Sequence, residues 1–169
     1  MKPLTGRVSL VLPEDDFDVD QLVGVANIKV YEPERLAALV QDWCGADFVR
    51  RHRPGDFIVG GRNFGYGHPH PQAMIAMRHL GVAAVVAESL APAYQVSEIH
   101  RGMLQLACPG ILAAVRMGDT LTIDAVQGDV LHHETGRRIA CEPLTAGQRA
   151  ILATGGLFQW LRPTSGAAA

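Results

Sequence analysis

Two histidines, His68 and His70, stand in a glycine-rich run, Gly60-Gly61-Arg62-Asn63-Phe64-Gly65-Tyr66-Gly67-His68-Pro69-His70-Pro71-Gln72. Imidazole ordinarily titrates near neutral pH, so a pair suits proton transfer or a pH-sensitive grip on an acid. The run follows a strand-like segment, Asp56-Phe57-Ile58-Val59, and precedes a helix-like one, Gln72 to Leu80. Glycine lets the backbone turn sharply and approach a ligand closely. The start of a helix offers unpaired N–H groups and the positive end of a dipole. The pattern reads as an anion-handling turn for a carboxylate or a phosphate, with two imidazoles where the ligand would rest.

The prolines sharpen this reading. Pro69 and Pro71 bring no N–H and push His68 and His70 toward an extended backbone. Pro71 suits a first helical residue, where the missing donor costs least. The turn should be stiff, with anion binding shifted onto the imidazoles. A His-x-His pair also binds metals, but two ligands are too few without partners. Loop histidines equally serve as surface or hydrogen-bonding groups. His132-His133 falls in an expected hairpin and reads as peripheral, and His79 and His100 as structural or exposed.

The surrounding elements must position the turn. Gly6 to Leu12 reads as a first strand, with Val8, Leu10 and Leu12 on one face and Arg7 and Ser9 on the other. An acidic turn, Pro13 to Asp20, follows. Pro33 to Val40 reads as a helix, with helix or turn continuing toward Arg51. Phe57 to Gly61 is a second strand, Gln72 to Leu80 a helix stopped by Gly81, and Val82 to Glu88 a strand buried on both faces. Pro92 to Arg101 is a helix, Met103 to Ala107 a strand, and Pro109 to Met117 a helical stretch. Thr120 to Val126 and Val130 to Thr135 form a hairpin-like pair. Thr145 caps a final helix, Ala146 to Leu161, interrupted at Gly155-Gly156. Strand–loop–helix–strand units imply a parallel sheet with ligands beyond the carboxyl ends of its strands. The hairpin adds an antiparallel, barrel-like portion. Residues 1–163 make one domain and 164–169 a flexible tail.

The bulk composition excludes several classes. The chain has 169 residues, 48% hydrophobic and 19% charged, which describes a globular domain with a core. A net charge of -2 gives no reason to expect nucleic acid or an anionic membrane as partner. No apolar stretch is long enough to cross a bilayer and no signal core follows Met1, so a cytoplasmic protein is expected. The three cysteines, Cys44, Cys108 and Cys141, are scattered without metal spacing and read as small buried residues in a reducing compartment.

Four segments, in order, resemble one known family. Asp15-Asp16-Phe17-Asp18-Val19-Asp20 resembles a D-x-I-D-T-D turn. Gly55 to Gly67 resembles G-D-I-I-V-A-G-K-N-F-G-C-G, and Gly81 to Ser89 resembles a G-I-x-A-V-I-A-x-S strand. Ile151-Leu152-Ala153-Thr154-Gly155-Gly156-Leu157 resembles I-L-E-A-G-G-L. Together they are similar to the small subunit of 3-isopropylmalate dehydratase, the swivelling domain of the aconitase superfamily. The resemblance implies an α/β fold: a swivelling β/β/α aconitase C-terminal-type domain with a mixed, partly parallel sheet and a barrel-like antiparallel portion. It implies a heteromeric hydro-lyase (dehydratase) acting on a hydroxy dicarboxylate, with the active site shared with a large subunit. That partner would carry a [4Fe–4S] cluster, acting as a Lewis acid, and this chain no cofactor or metal of its own.

The resemblance breaks in the turn itself. The family continues with G-S-S-R-E-H, whereas this chain has Gly67-His68-Pro69-His70-Pro71-Gln72. His68 stands at a serine position and His70 at the carboxylate-binding arginine. His68 is the candidate general base. His70 implies weaker, pH-sensitive carboxylate binding or a substrate with a different group there. The implied substrate-binding residues are Asn63, Gly65, Tyr66 and Gly67 in the turn, and Ser89 at the next strand end. Asn27 and Lys29 join them from a loop that Asp18 and Asp20 would hold. Two other readings remain: a non-catalytic regulatory or partner subunit with a degenerate loop, and an iron-independent carboxylate- or phosphate-binding protein.

Overall fold

The computed structural model describes residues 1–162. Pro163 and the expected tail 164–169 lie outside the described residues. Seven strands form one mixed sheet in the order β4-β3-β2-β1-β5-β6-β7. The parallel part comprises β1 (Leu4–Leu12), β2 (Phe57–Gly60), β3 (Ala84–Ala87) and β4 (Leu104–Ala107). The antiparallel part comprises β5 (Thr120–Asp124), β6 (Asp129–His132) and β7 (Arg138–Ala140). It joins the parallel part where β5 pairs with β1.

β2, β3 and β4 are buried along their whole length, as strands covered on both faces must be. Ile58 and Val85 point into one core with Leu36, Val40, Met74 and Met77. Phe57, Val59 and Val86 point into the other with Leu106, Ile111 and Leu121. The first core is roofed by α1 (Pro33–Arg51) and α2 (Gln72–His79). α3 (Pro92–His100) contributes Tyr94 to the first core and Ile99 to the second. The remaining helices are α4 (Ile111–Ala114), α5 (Ala146–Ala153) and α6 (Leu157–Leu161). α5 starts from a reciprocal cap in which Thr145 Oγ1 accepts from Gln148 N–H and the Gln148 side chain accepts from Thr145 N–H.

Several expectations change in detail. β1 does not keep one apolar face. Its register against β2 shifts between Val8 and Leu10, so Val8 joins the second core while Leu10 and Leu12 face the first. One extra residue in a strand reverses the facing of everything beyond it. α1 does run to Arg51, but Gly45 breaks it with a non-helical backbone. Pro109 to Met117 holds only the short α4. β7 and two 3-10 turns, Val19–Leu22 and Val25–Asn27, were not expected. No helix among the described residues is long and apolar enough to cross a membrane.

Candidate active site

The glycine-rich turn leaves β2 at its carboxyl end and is clamped by the acidic segment after β1. Gly61 N–H donates to the Leu12 carbonyl (2.9 Å) and Arg62 N–H to Asp15 Oδ1 (3.0 Å). Asn63 lies in the left-handed region at φ 51°. Its Nδ2 donates to Asp16 Oδ1 (2.7 Å) and its N–H to Ser89 Oγ (2.8 Å). Phe64 N–H reaches the Ser89 carbonyl (3.0 Å), and the N–H groups of Gly65 and Tyr66 share the Phe17 carbonyl (3.0 and 3.2 Å). Asn63, Gly65 and Ser89 thus spend donors and acceptors on shaping the turn. The N–H groups of Gly67 and His68 have no partner among the described residues.

Gly65 is the seat of the turn. Its φ is 82°, and a Cβ there would lie 2.1 Å from Tyr94 Cγ. The ring of Tyr94 belongs to a stack: Phe17 lies parallel to Phe64 (5.6 Å between centroids), and Phe64 meets Tyr94 edge-on (5.7 Å). Burial, then the negative charge of Glu98, pushes the Tyr94 phenol well above its ordinary range. It therefore stays protonated, its hydroxyl donating to Met74 Sδ (3.3 Å).

His70 is gripped twice by Asp20. Its backbone N–H donates to Oδ1 (2.9 Å), and its ring Nδ1 lies 2.7 Å from Oδ2. The Asp20 side chain is 6% exposed and the His70 side chain 37%, so the ring reaches from a buried carboxylate toward solvent. Asp20 is presented by the 3-10 turn Val19–Leu22, capped by Asp18, whose Oδ1 accepts from Asp20 N–H at 2.9 Å. His68 is exposed, its ring 5.7 Å from that of His70 and nearly perpendicular to it. Both histidines line a cavity of about 130 Å³ with Gly67, Tyr94, Ser97 and Glu98. Glu98 is buried, its oxygens accepting from Arg78 (2.7 Å) and Arg101 (2.9 Å).

The other candidates sit apart from this cavity. Tyr66 is exposed beside it. Asn27 donates from Nδ2 to the Val23 carbonyl (2.7 Å), closing the second 3-10 turn, and Lys29 is exposed. Neither lines the cavity. Sequence reading missed the link from Asp20 to His70 and the contribution of α3 through Tyr94, Ser97 and Glu98. The acidic run was visible, but nothing in linear spacing pairs an aspartate with a histidine fifty residues later. Gln72, just past the turn, is fully buried with no partner for its amide among the described residues.

The chain is poorly equipped to hold an iron–sulfur cluster. The thiols do not converge: Cys44 packs against the first core, whereas Cys108 and Cys141 lie in the second, on the other face of the sheet. Burial pushes the Cys44 thiol up to about 12. The grouping Asp119, His132 and Glu134 lies on the β5–β6 hairpin, where His132 Nε2 is within 2.9 Å of Asp119 Oδ2 and Nδ1 within 3.4 Å of Glu134 Oε2. One ligand atom from each lies within 4.8 Å of the others, but both ring nitrogens are already engaged, Nε2 with Asp119 and Nδ1 as acceptor of the Thr135 N–H (3.3 Å).

Residues 38–110 match the family described as the aconitase C-terminal domain. The 3-isopropylmalate dehydratase small subunit 1 of Methanopyrus kandleri is 32% identical over 148 residues, 88% of this chain and 87% of that one. The 3-isopropylmalate dehydratase small subunit of Pyrobaculum calidifontis is 35% identical over 148 residues, 88% of this chain and 91% of that one. The isopropylmalate/citramalate isomerase small subunit of Methanocaldococcus jannaschii is 31% identical over 88% of both chains. A crystal structure of 3-isopropylmalate dehydratase from Methanocaldococcus jannaschii superposes with a TM-score of 0.79 at 28% identity, covering 95% of this chain and 93% of that one. With shared sequence over most of both chains and a shared fold, the chain belongs to the family of 3-isopropylmalate dehydratase small subunits in the aconitase superfamily.

Proposed function

We propose that the chain works with a large subunit as a hydro-lyase that removes water from, and returns it to, a hydroxy dicarboxylate. The names of its relatives point to isopropylmalate and citramalate as members of the substrate class. The cysteines of this chain are divided between two cores on opposite faces of the sheet, which leaves the iron–sulfur cluster to the partner. The same unpaired cysteines suit a reducing compartment, and we place the complex in the cytoplasm.

The observation that carries this reading is that His68 and His70 line one cavity beyond the carboxyl end of a parallel strand, where α/β sheets bind ligands. His68, exposed and with no partner on its ring among the described residues, moves a proton to or from the substrate. The open N–H groups of Gly67 and His68 are available to an oxygen of the ligand. Asn63 and Ser89 hold the turn that presents these groups. Tyr66, Asn27 and Lys29 are exposed or half-buried and would meet ligand or partner only when the large subunit closes the crevice.

The test is co-expression with a cluster-bearing large subunit from the same source, followed by a screen of hydroxy dicarboxylates for absorbance of an alkene product. A brown complex with turnover is expected. A complex that assembles with its cluster intact but turns over no dicarboxylate would make the chain a regulatory subunit and overturn the proposal. Acid binding and activity by the isolated, colourless chain would replace it with an iron-independent function.

A further inference from the structure

The anion position of the turn is already filled from within the chain. Pro69 and Pro71 supply no N–H, and the N–H between them, that of His70, is donated to Asp20 Oδ1. The other oxygen of the same carboxylate meets His70 Nδ1 at 2.7 Å. A carboxylate only accepts, so the proton in that contact sits on Nδ1. The neutral ring then presents a bare lone pair at Nε2. An ionised carboxylate beside a neutral imidazole has a net charge of one negative, and beside an imidazolium it has none, so in neither state is the pair cationic.

The surroundings do not make up the difference. No lysine or arginine lines the cavity among the described residues. Arg78 and Arg101 are outside its lining and both are held by Glu98. A second carboxylate, Asp18, approaches Gly67, with Oδ2 3.8 Å from where a Cβ of that residue would stand. Glu98 and the phenol of Tyr94 line the cavity as well, and His68 adds an imidazole 5.7 Å from that of His70. An arginine would grip a carboxylate with two parallel hydrogen bonds and a permanent charge. This corner offers a lone pair backed by negative charge.

We propose that His70 Nε2 receives an uncharged hydrogen-bond donor of the substrate, a hydroxyl or a primary amide, and that the substrate's carboxylates are bound elsewhere. Asp20 is the positioning residue: it fixes the tautomer and aim of the ring without touching the ligand. A cavity of about 130 Å³ accommodates one such group rather than a whole acid. The word substrate rests on the dehydratase reading above, whereas the geometry is this chain's own.

The test uses the full chain alone, labelled with ¹⁵N-histidine, with NMR reading the ring nitrogens of His70. The neutral ring should carry its proton on Nδ1. In Asp20→Asn the amide can donate to Nδ1 while its oxygen keeps the His70 N–H, so the fold is retained and the proton moves to Nε2. Acetamide and acetate serve as probes of the corner. Acetamide should shift the Nε2 resonance saturably, with a dissociation constant about tenfold below that of acetate, and this response should vanish in Asp20→Asn. An Nε2–H tautomer in the unaltered chain, tighter binding of acetate at His70, or no saturable response to acetamide would each overturn the inference. No large subunit is involved, so an inactive complex would count against the dehydratase reading and leave this result standing.

Discussion

Gly65→Ala separates backbone strain from steric clash at the seat of the active turn. Gly65 has φ 82° and Gly118 has φ 99°, a region that costs a side chain roughly 1–2 kcal/mol. The two positions differ in what a methyl group would meet. At Gly118 nothing lies within 4 Å, whereas at Gly65 the new carbon would stand 2.1 Å from Tyr94 Cγ and 2.4 Å from Cδ1. Tyr94 is 1% exposed and wedged against Phe64, so it has no room to retreat. Overpacking a closed core adds roughly 1–3 kcal/mol. Gly118→Ala should therefore cost about 1–2 kcal/mol and Gly65→Ala about 2–5 kcal/mol. Urea denaturation followed by circular dichroism measures both, provided the slope against denaturant is unchanged. Equal losses for the two variants would refute the claim that the turn is seated on the Tyr94 ring.

Two further outcomes follow from buried groups. Glu98→Gln leaves Arg78 and Arg101 without their shared charge and should lower stability by about 2 kcal/mol in the same assay, less than for a fully buried pair because the guanidinium groups are partly solvated. Cys44 should react with iodoacetamide at pH 8 about a thousandfold more slowly than an ordinary thiol, since raising the pKa from 9.0 to about 12 cuts the thiolate fraction by that factor. The same shift favours the protonated folded state, so its stabilising effect is complete below pH 9 and is lost as pH rises toward 12. Denaturation midpoints at pH 8 and pH 11 read that loss, and a midpoint that holds or rises would contradict it.

The architecture was legible where local chemistry and tertiary demand agreed. The continuous apolar runs of β2 and β3 announced strands buried on both faces, and Thr145 with Gln148 announced the start of α5. Legibility failed where one residue changes a register. Nothing in Val8-Ser9-Leu10 signals the irregularity that sends Val8 and Leu10 into different cores. Arg138-Ile139-Ala140 is too short and polar to read as a strand, and it forms β7 because β6 offers it an edge. In the turn, the glycines and histidines were visible by type. The identity of the group on the turn's donor was not, because the sequence pattern suggested an outside anion and the fold brings in Asp20. Side chains that meet only after the chain crosses between strands leave no trace in spacing.

The most direct test of the account is turnover by the assembled complex carrying His68→Ala in this chain, measured beside the unaltered complex on its best substrate. A lost proton-transfer group predicts a fall in kcat of at least about a hundredfold, with subunit association and cluster absorbance unchanged. Turnover within a few-fold of the unaltered complex would contradict it and place the chemistry on other residues.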